Sequence, residues 1–167
     1  IMFFLMAIAA ALAGGVWAAL AGYLRARWRV NEIITTLMMN YIAIHLVDYF
    51  VYGPWRDPGS LGFPMTAPFP DAARLYQFGD SRVHLGIIIA IILSCMFYWL
   101  FRYTRWGYEI RVIGENPRAA DFAGMAYLKN VVMVMFLSGA IAGIAGMTEI
   151  AGLQGRLQHG FSAGYGY

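Results

Sequence analysis

The sequence predicts an all-α fold, a polytopic bundle of about four membrane-spanning helices plus one short helix outside the bilayer. Of its 167 residues, 60% are hydrophobic and only 13% are charged, whereas soluble domains carry roughly 25% charged residues. The apolar residues also fall into runs of about 20, the length that a helix needs to cross a bilayer. Together these observations predict that lipid is the solvent of this chain.

The first predicted span, residues 1–24, contains no charged side chain. Because it lacks a basic leading segment and is too long for the apolar part of a signal peptide, we interpret it as a membrane span. Small residues recur along it at helical spacing, which favours close approach by another helix. They are Ala7, Ala11, Gly15, Ala18 and Gly22.

The second predicted span, residues 33–52, is apolar but carries polar side chains at helical spacing. Thr36, Asn40 and Asp48 share one helix face, and His45 lies beside it. Polar groups within a span usually face the bundle interior or a water-filled path. The pattern predicts a substrate path along this face. The alternative is a helix–helix hydrogen bond for Asn40 and an interfacial position for Asp48.

The third and fourth predicted spans are residues 83–101 and 131–150, and a turn-rich loop, residues 53–82, precedes the third. Small-residue patterns in the fourth span favour close helix packing. They are Gly139-x-x-x-Gly143 and Ala142-x-x-x-Gly146.

One acid, Glu149, lies at the end of the fourth span. It is predicted either to line the substrate path or to pair with Arg156 in the following segment. The two alternatives stay open because the sequence does not show which group Glu149 meets.

The loop of residues 102–130 contains the start and stop signals of a short helix. Asn116 suits the N-cap, Pro117 the first helical position, and Gly124 the left-handed residue after a helix end. We expect a helix of about two turns. Its apolar surface is too small to hold it on lipid, so docking on a soluble protein is the better explanation. The predicted docking residues are Gly114, Glu115, Asn116, Pro117, Arg118, Ala119, Ala120, Asp121 and Gly124.

Basic residues predict the orientation of the spans. Loop 25–32 holds three arginines and loop 102–130 holds five Lys or Arg, against three arginines in loop 53–82. Because basic loops stay in the cytoplasm, loops 25–32 and 102–130 are predicted to be cytoplasmic.

Several function classes find no support in the sequence. The basic residues flank apolar runs, which does not suggest nucleic-acid binding, and the His and Cys residues show no metal-ligand spacing. An intramembrane enzyme would need a nucleophile with a nearby base, yet Ser94, Cys95 and Ser138 have no His or Asp one turn away. A passive channel would not explain the capped helix. We therefore expect no catalytic residue and no metal site.

Residues 112–120 and 123–125, with the sequences VIGENPRAA and AGM, resemble the membrane permeases of ABC importers. The group includes ribose, branched-chain amino acid and nucleoside permeases. The resemblance continues through residues 138–143 and 163–167. Residues 30–42, with the sequence VNEIITTLMMNYI, and the loop 53–58 resemble the nucleoside-type permeases in particular.

The resemblance implies a permease subunit of an ATP-driven importer, multi-pass in the bacterial cytoplasmic (inner) membrane. It implies two permease subunits, two ATPase subunits, and an extracytoplasmic binding protein that delivers nucleosides or, as the alternative, a simple sugar such as ribose. Residues 116–123 would be the coupling helix that docks in a groove of the ATPase. No G-x-x-x-x-G-K-[ST] motif occurs, so ATP and Mg²⁺ are expected on that partner. Members of the group have more spans, so residues 1–167 are expected to be an incomplete permease domain.

Overall fold

The computed structural model of the chain describes residues 2–60, 63–70, 73–76 and 84–160. Within these residues the elements are all helices, in the order Met2–Trp28 (α1), Glu32–Tyr52 (α2), Gly86–Tyr103 (α3), Arg105–Glu115 (α4), Pro117–Phe122 (α5) and Tyr127–Glu149 (α6). Four of them, α1, α2, α3 and α6, are long and apolar enough to cross a membrane. The predicted all-α bundle is confirmed.

The helices overlap the predicted spans but differ from them at the ends. α1 continues to Trp28 and α2 begins at Glu32, so five of the eight residues of the predicted loop 25–32 are helical. α6 begins at Tyr127, and a π-helical stretch, Ile150–Gln154, continues it. The predicted start of the third span, at residue 83, and the resemblance at residues 163–167 lie outside the described residues.

The most extensive helix–helix contact in the described part of the chain is that between α1 and α6. Its centre is made of glycines, because a Cβ on Gly14, Gly139 or Gly143 would collide with the backbone of the facing helix. Such contacts let two backbones approach closely in a bilayer, where dispersion forces drive helix packing. The predicted close packing at Gly139 and Gly143 is therefore confirmed, and the helix that packs there is α1.

The second predicted pattern on α6 needs a correction. Ala142 is exposed, and nothing among the described residues lies within 4 Å of a Cβ built on Gly146. α6 can turn only one narrow face towards α1, and Gly139 and Gly143 occupy that face. Ala142 and Gly146 make no close helix contact within the described part of the chain.

The loop that precedes α3 folds over the end of the bundle where α6 finishes. The N–H groups of Thr66 and Leu75 donate to the carbonyl oxygens of Leu157 and Ala151, each at 2.9 Å. Leu75 also packs with Met147 and Ala151 against the beginning of α1. These contacts bring the start of α1, the loop and the end of α6 together at one end of the bundle.

The helix α4 was not predicted, because residues 102–115 were interpreted as loop. Thr104 caps it, with its Oγ1 accepting a hydrogen bond from the Gly107 N–H at 3.1 Å. Trp106, Ile110 and Ile113 recur at spacings of about four and three residues, which is the signal of an amphipathic helix. Loop 102–130 therefore contains two helices, joined end to end.

Candidate functional site

The N-terminus of α5 is capped as the sequence predicts. Asn116 has an extended backbone, with φ −148°, and its Oδ1 accepts hydrogen bonds from the N–H groups of Arg118 and Ala119, both at 3.1 Å. Pro117 occupies the first helical position, where its missing N–H costs nothing. The cap satisfies two N–H groups that the short helix could not bond internally.

The C-terminus of α5 ends in a Schellman motif. Gly124 adopts φ +72°, and its N–H donates to the Asp121 carbonyl oxygen at 3.0 Å. The Met125 N–H donates to the Ala120 carbonyl oxygen, also at 3.0 Å. The predicted stop at Gly124 is confirmed. α5 is thus a short helix whose two ends are both held by hydrogen bonds.

The exposed surface of α5 centres on an aromatic ring. Phe122 is 94% exposed, more than any other large apolar side chain in the described part of the chain. Ala120 is fully buried, so its side chain is not on this surface, whereas the other eight predicted docking residues are exposed. Phe122 was missing from the predicted docking residues, although an aromatic residue on a short capped helix was the signal for it.

Behind this surface, α5 stands over a cleft at the end of α1. The cleft has a volume of about 470 Å³. It is lined by Ala26, Arg29, Pro117, Arg118, Asp121 and Tyr127. Pro117, Arg118 and Asp121 of α5 thus line the cleft beside the spans, while Phe122 is exposed to solvent.

A part-buried hydrogen-bond network, centred on the buried Asn130 side chain, joins α4 to the first turn of α6. The Trp106 Nε1 donates to the Asn130 Oδ1 at 2.8 Å, and the Asn130 Nδ2 donates to the Glu109 Oε2 at 3.0 Å. Asn130 is only 4% exposed. Sequence reasoning missed this network because Trp106 and Glu109 are more than 20 residues from Asn130 in the chain.

The residues of the predicted substrate path lie on α2 and at the end of α6. Thr36 is exposed and its Oγ1 donates to the Glu32 carbonyl oxygen at 2.8 Å, within its own helix. Asn40 is half-buried and His45 is exposed. Because α2 is one continuous helix, Thr36 and Asn40 lie one turn apart on neighbouring positions, whereas Asp48 is two turns further along and displaced around the helix axis.

Asp48 is held by the segment that follows α6. Its Oδ1 lies 2.7 Å from the His159 Nδ1. Among the described residues, the contacts between acidic and basic side chains within 4.0 Å are Asp48–His159 and Arg25–Glu32, so Glu149 does not pair with Arg156. Arg156 instead donates from Nη1 to the Met65 Sδ at 3.0 Å. Glu149 is half-buried at the end of α6, and the described contacts do not join it to α2.

No group of three or more His, Cys, Asp or Glu side chains in the described ranges could hold a metal ion. The arrangement contains the exposed Phe122 ring on α5, the hydrogen-bond network around Asn130, and the polar side chains of α2. The exposed ring on α5 is suited to binding a partner.

The comparisons with known proteins identify the family. The whole chain, residues 1–167, matches the family described as the branched-chain amino acid transport system / permease component. The chain belongs to this permease family.

Relatives of this permease chain are named for different cargoes. It is 39% identical to the glucose ABC transporter permease protein TsgB13 of Haloferax volcanii, over 98% of the chain and 46% of that protein. It is also 39% identical to the guanosine ABC transporter permease protein NupP of Bacillus subtilis, over 85% of the chain and 41% of that protein. The identity is 31% to the ribose import permease protein RbsC of Escherichia coli, over 98% of the chain and 49% of that protein.

The permease chain spans less than half the length of these curated relatives. No solved structure gives a significant match to it. With the four apolar helices, the family membership supports a multi-pass membrane protein.

Proposed function

We propose that this chain belongs to the membrane-spanning subunit of an ATP-driven importer, and that α5 is its docking helix for an ATPase subunit. The observation that carries the proposal is the geometry of α5, a doubly capped helix between α4 and α6 that exposes Phe122 almost completely. A fully exposed aromatic ring on a rigid, capped helix is well suited to insertion into a groove on a soluble partner.

The energetics favour docking on protein. Burying a Phe side chain gains about 1.5–3 kcal/mol, and the caps at Asn116 and Gly124 already fix the backbone, so little ordering entropy is lost on binding. Arg118 and Asp121 are exposed on the same helix and can pair with charges at the rim of a groove. A lipid surface would offer no partner for Asp121.

The family membership supports the remaining partners of the proposal. The chain has no phosphate-binding G-x-x-x-x-G-K-[ST] motif, so ATP and Mg²⁺ belong to the ATPase, and the chain itself is not an enzyme. The relatives are named as ABC transporter or import permease proteins. A second permease subunit and an extracytoplasmic binding protein complete the proposed importer, in the cytoplasmic membrane of a bacterium.

Nucleosides are the proposed cargo. The guanosine permease relative and the resemblance of residues 30–42 to nucleoside-type permeases support it. A simple sugar is the second candidate, because the glucose permease relative is equally similar. Thr36, Asn40, His45, Asp48 and Glu149 are the proposed path residues. A side-chain amide such as that of Asn40 both donates and accepts hydrogen bonds, which suits a nucleobase edge or a hydroxyl group.

The cargo is tested by uptake. The complete permease is reconstituted in liposomes with its ATPase and binding protein, and ATP-dependent uptake of radiolabelled guanosine is measured with excess unlabelled glucose or ribose. We expect guanosine uptake that the sugars do not reduce, lowered by Asn40→Ala and lowered further by Asn40→Leu, which also fills space. Uptake of labelled glucose or ribose, with none of guanosine, would establish the sugar alternative.

Docking is tested by Phe122→Ala, with Phe63→Ala as the matched control. Phe63 is also an exposed ring, at 64%, but it lies in the loop at the opposite end of the bundle. We expect Phe122→Ala to weaken binding of the ATPase about 10-fold or more, and Phe63→Ala to leave it unchanged. Equal affinities for the two variants would refute docking through α5.

A further inference from the structure

We propose that Trp106, Asn130 and Glu109 form the joint through which movement of α5 reaches the membrane span α6. This inference rests on the proposed docking of α5 on an ATPase. The three residues, here called the buried joint, connect the cytoplasmic helices to the span by side-chain hydrogen bonds.

The first step is the link between α5 and α4. A single residue, Asn116, separates the two helices and serves both of them. Its backbone N–H donates to the Val112 carbonyl oxygen at 2.9 Å, closing α4, while its side chain caps α5. Because one residue ends one helix and starts the next, α5 cannot tilt freely without moving the end of α4.

The second step is the link between α4 and α6. Trp106 and Glu109 lie one turn apart on α4. Trp106 donates to the side-chain amide of Asn130, and Glu109 accepts from it. Two directional bonds from successive turns fix both the position and the rotation of α4 on α6. Apolar packing alone would let the helices slide.

Burial makes the joint costly to break. Asn130 is almost completely buried, and in a low-dielectric site the loss of a partner leaves an amide group without water or protein to bond. An unpaired buried group loses its hydrogen bonds to water without gaining any from the protein. We therefore infer that the two hydrogen bonds of Asn130 stay intact when α4 is displaced, so that the displacement reaches α6.

The third step is the link from α6 to the bundle. Asn130 lies in the first turn of α6, and further along the same helix Gly139 and Gly143 are in backbone contact with α1. A rotation imposed at Asn130 therefore shifts a tightly packed helix pair. α5 and α6 are also in contact and are joined by backbone, residues 123–126, which passes through the turn at Gly124.

The test uses variants that leave the α5 surface unchanged. Trp106→Phe removes the Nε1 donor but keeps a ring, Glu109→Ala removes the acceptor, and Glu109→Gln restores an acceptor oxygen without the charge. Trp99→Phe is the control, because that indole is exposed on α3. The readout is guanosine transported per ATP hydrolysed by the reconstituted complex, a ratio that lower protein stability alone does not change.

We expect Trp106→Phe and Glu109→Ala to lower this ratio about 5-fold or more, the factor that corresponds to roughly 1 kcal/mol, with ATPase binding preserved. Glu109→Gln and Trp99→Phe should keep the wild-type ratio. If the wild-type complex transports guanosine, and Trp106→Phe and Glu109→Ala both keep its ratio of transport to ATP hydrolysis, the proposed joint is wrong. The proposed function would then remain intact.

A second readout does not depend on the cargo. Spin labels are placed at Met38 on α2 and Ser138 on α6, both exposed and outside the docking surface, in a Cys95→Ala background, and the distance between them is measured with and without ATP. We expect ATP to change the distance in the wild type but not in Trp106→Phe or Glu109→Ala. If ATP changes the distance equally in the wild type, Trp106→Phe and Glu109→Ala, the proposed joint is wrong. A wild type that does not bind the ATPase overturns the proposed function and the joint with it.

Discussion

Gly114 and Gly124, near the two ends of α5, allow the effect of backbone conformation to be distinguished from the effect of space for a side chain. Among the described residues nothing lies within 4 Å of a Cβ built on either Gly114 or Gly124. Gly124 has φ +72°, whereas Gly114 lies inside α4 and is not among the positive-φ residues. Any difference between substitutions at the two positions must therefore come from the backbone.

We predict opposite effects of alanine at the two positions. Gly124→Ala should destabilise the end of α5 by about 1 kcal/mol, the cost of a left-handed L-residue, and Gly124→Asn should cost less because Asn tolerates that conformation. Gly114→Ala should be neutral or stabilising, since alanine favours a helix interior. Amide hydrogen exchange at residues 124 and 125 measures the effect, with about 5-fold faster exchange expected in Gly124→Ala. Equal exchange in both alanine variants would contradict the role of φ.

The caps of α5 could be predicted from the sequence because they depend on neighbouring residues. Asn116, Pro117 and Gly124 act within three residues of the helix ends, and each has a strong local preference. The buried joint could not be predicted, because Trp106 and Asn130 meet only once α4 has packed on α6. No local pattern marks a polar pair that is formed by tertiary structure.

The same contrast holds at the scale of helices. The four spans could be predicted because a run of apolar residues long enough to cross the bilayer is unambiguous. α4 could not be recognised by apolar length, because it carries charges among Trp106, Ile110 and Ile113, and only its amphipathic spacing shows it. For small residues on α1, the sequence indicated much of the packing face, since Gly15, Ala18 and Gly22 of the predicted stripe do pack on α6. Ala10 and Gly14, absent from the predicted stripe on α1, meet Gly143.

Glycine packing between α1 and α6 yields a prediction for two positions on one helix. Gly139→Val should strongly lower the thermal stability of the protein in detergent, because its side chain would collide with the backbone at Gly14. Overpacking costs about 1–3 kcal/mol or more. Gly146→Val is the control, since that position is open in the described part of the chain. An equal loss of stability in both variants would mean that the Gly146 face also packs closely.

For the whole molecule, the two ends of the bundle differ in charge and in construction. One end carries α4, α5 and the basic residues of loops 25–32 and 102–130, and the other carries the loop that bonds to the segment after α6. The docking surface and the basic residues thus lie at the same end. If basic loops remain in the cytoplasm, Phe122 is on the side where ATP is available.

Orientation is therefore the prediction on which the docking proposal depends. Single cysteines at Ala119 and Gly59, both exposed and at opposite ends, are introduced in a Cys95→Ala background and treated with a membrane-impermeant maleimide. We expect Gly59→Cys to be labelled in intact cells and Ala119→Cys only in inside-out vesicles. Ala120 would be a poor position for the label, because it is fully buried. Labelling of Ala119→Cys in intact cells would place Phe122 outside, away from ATP, and the ATPase would then have to bind the opposite end of the bundle.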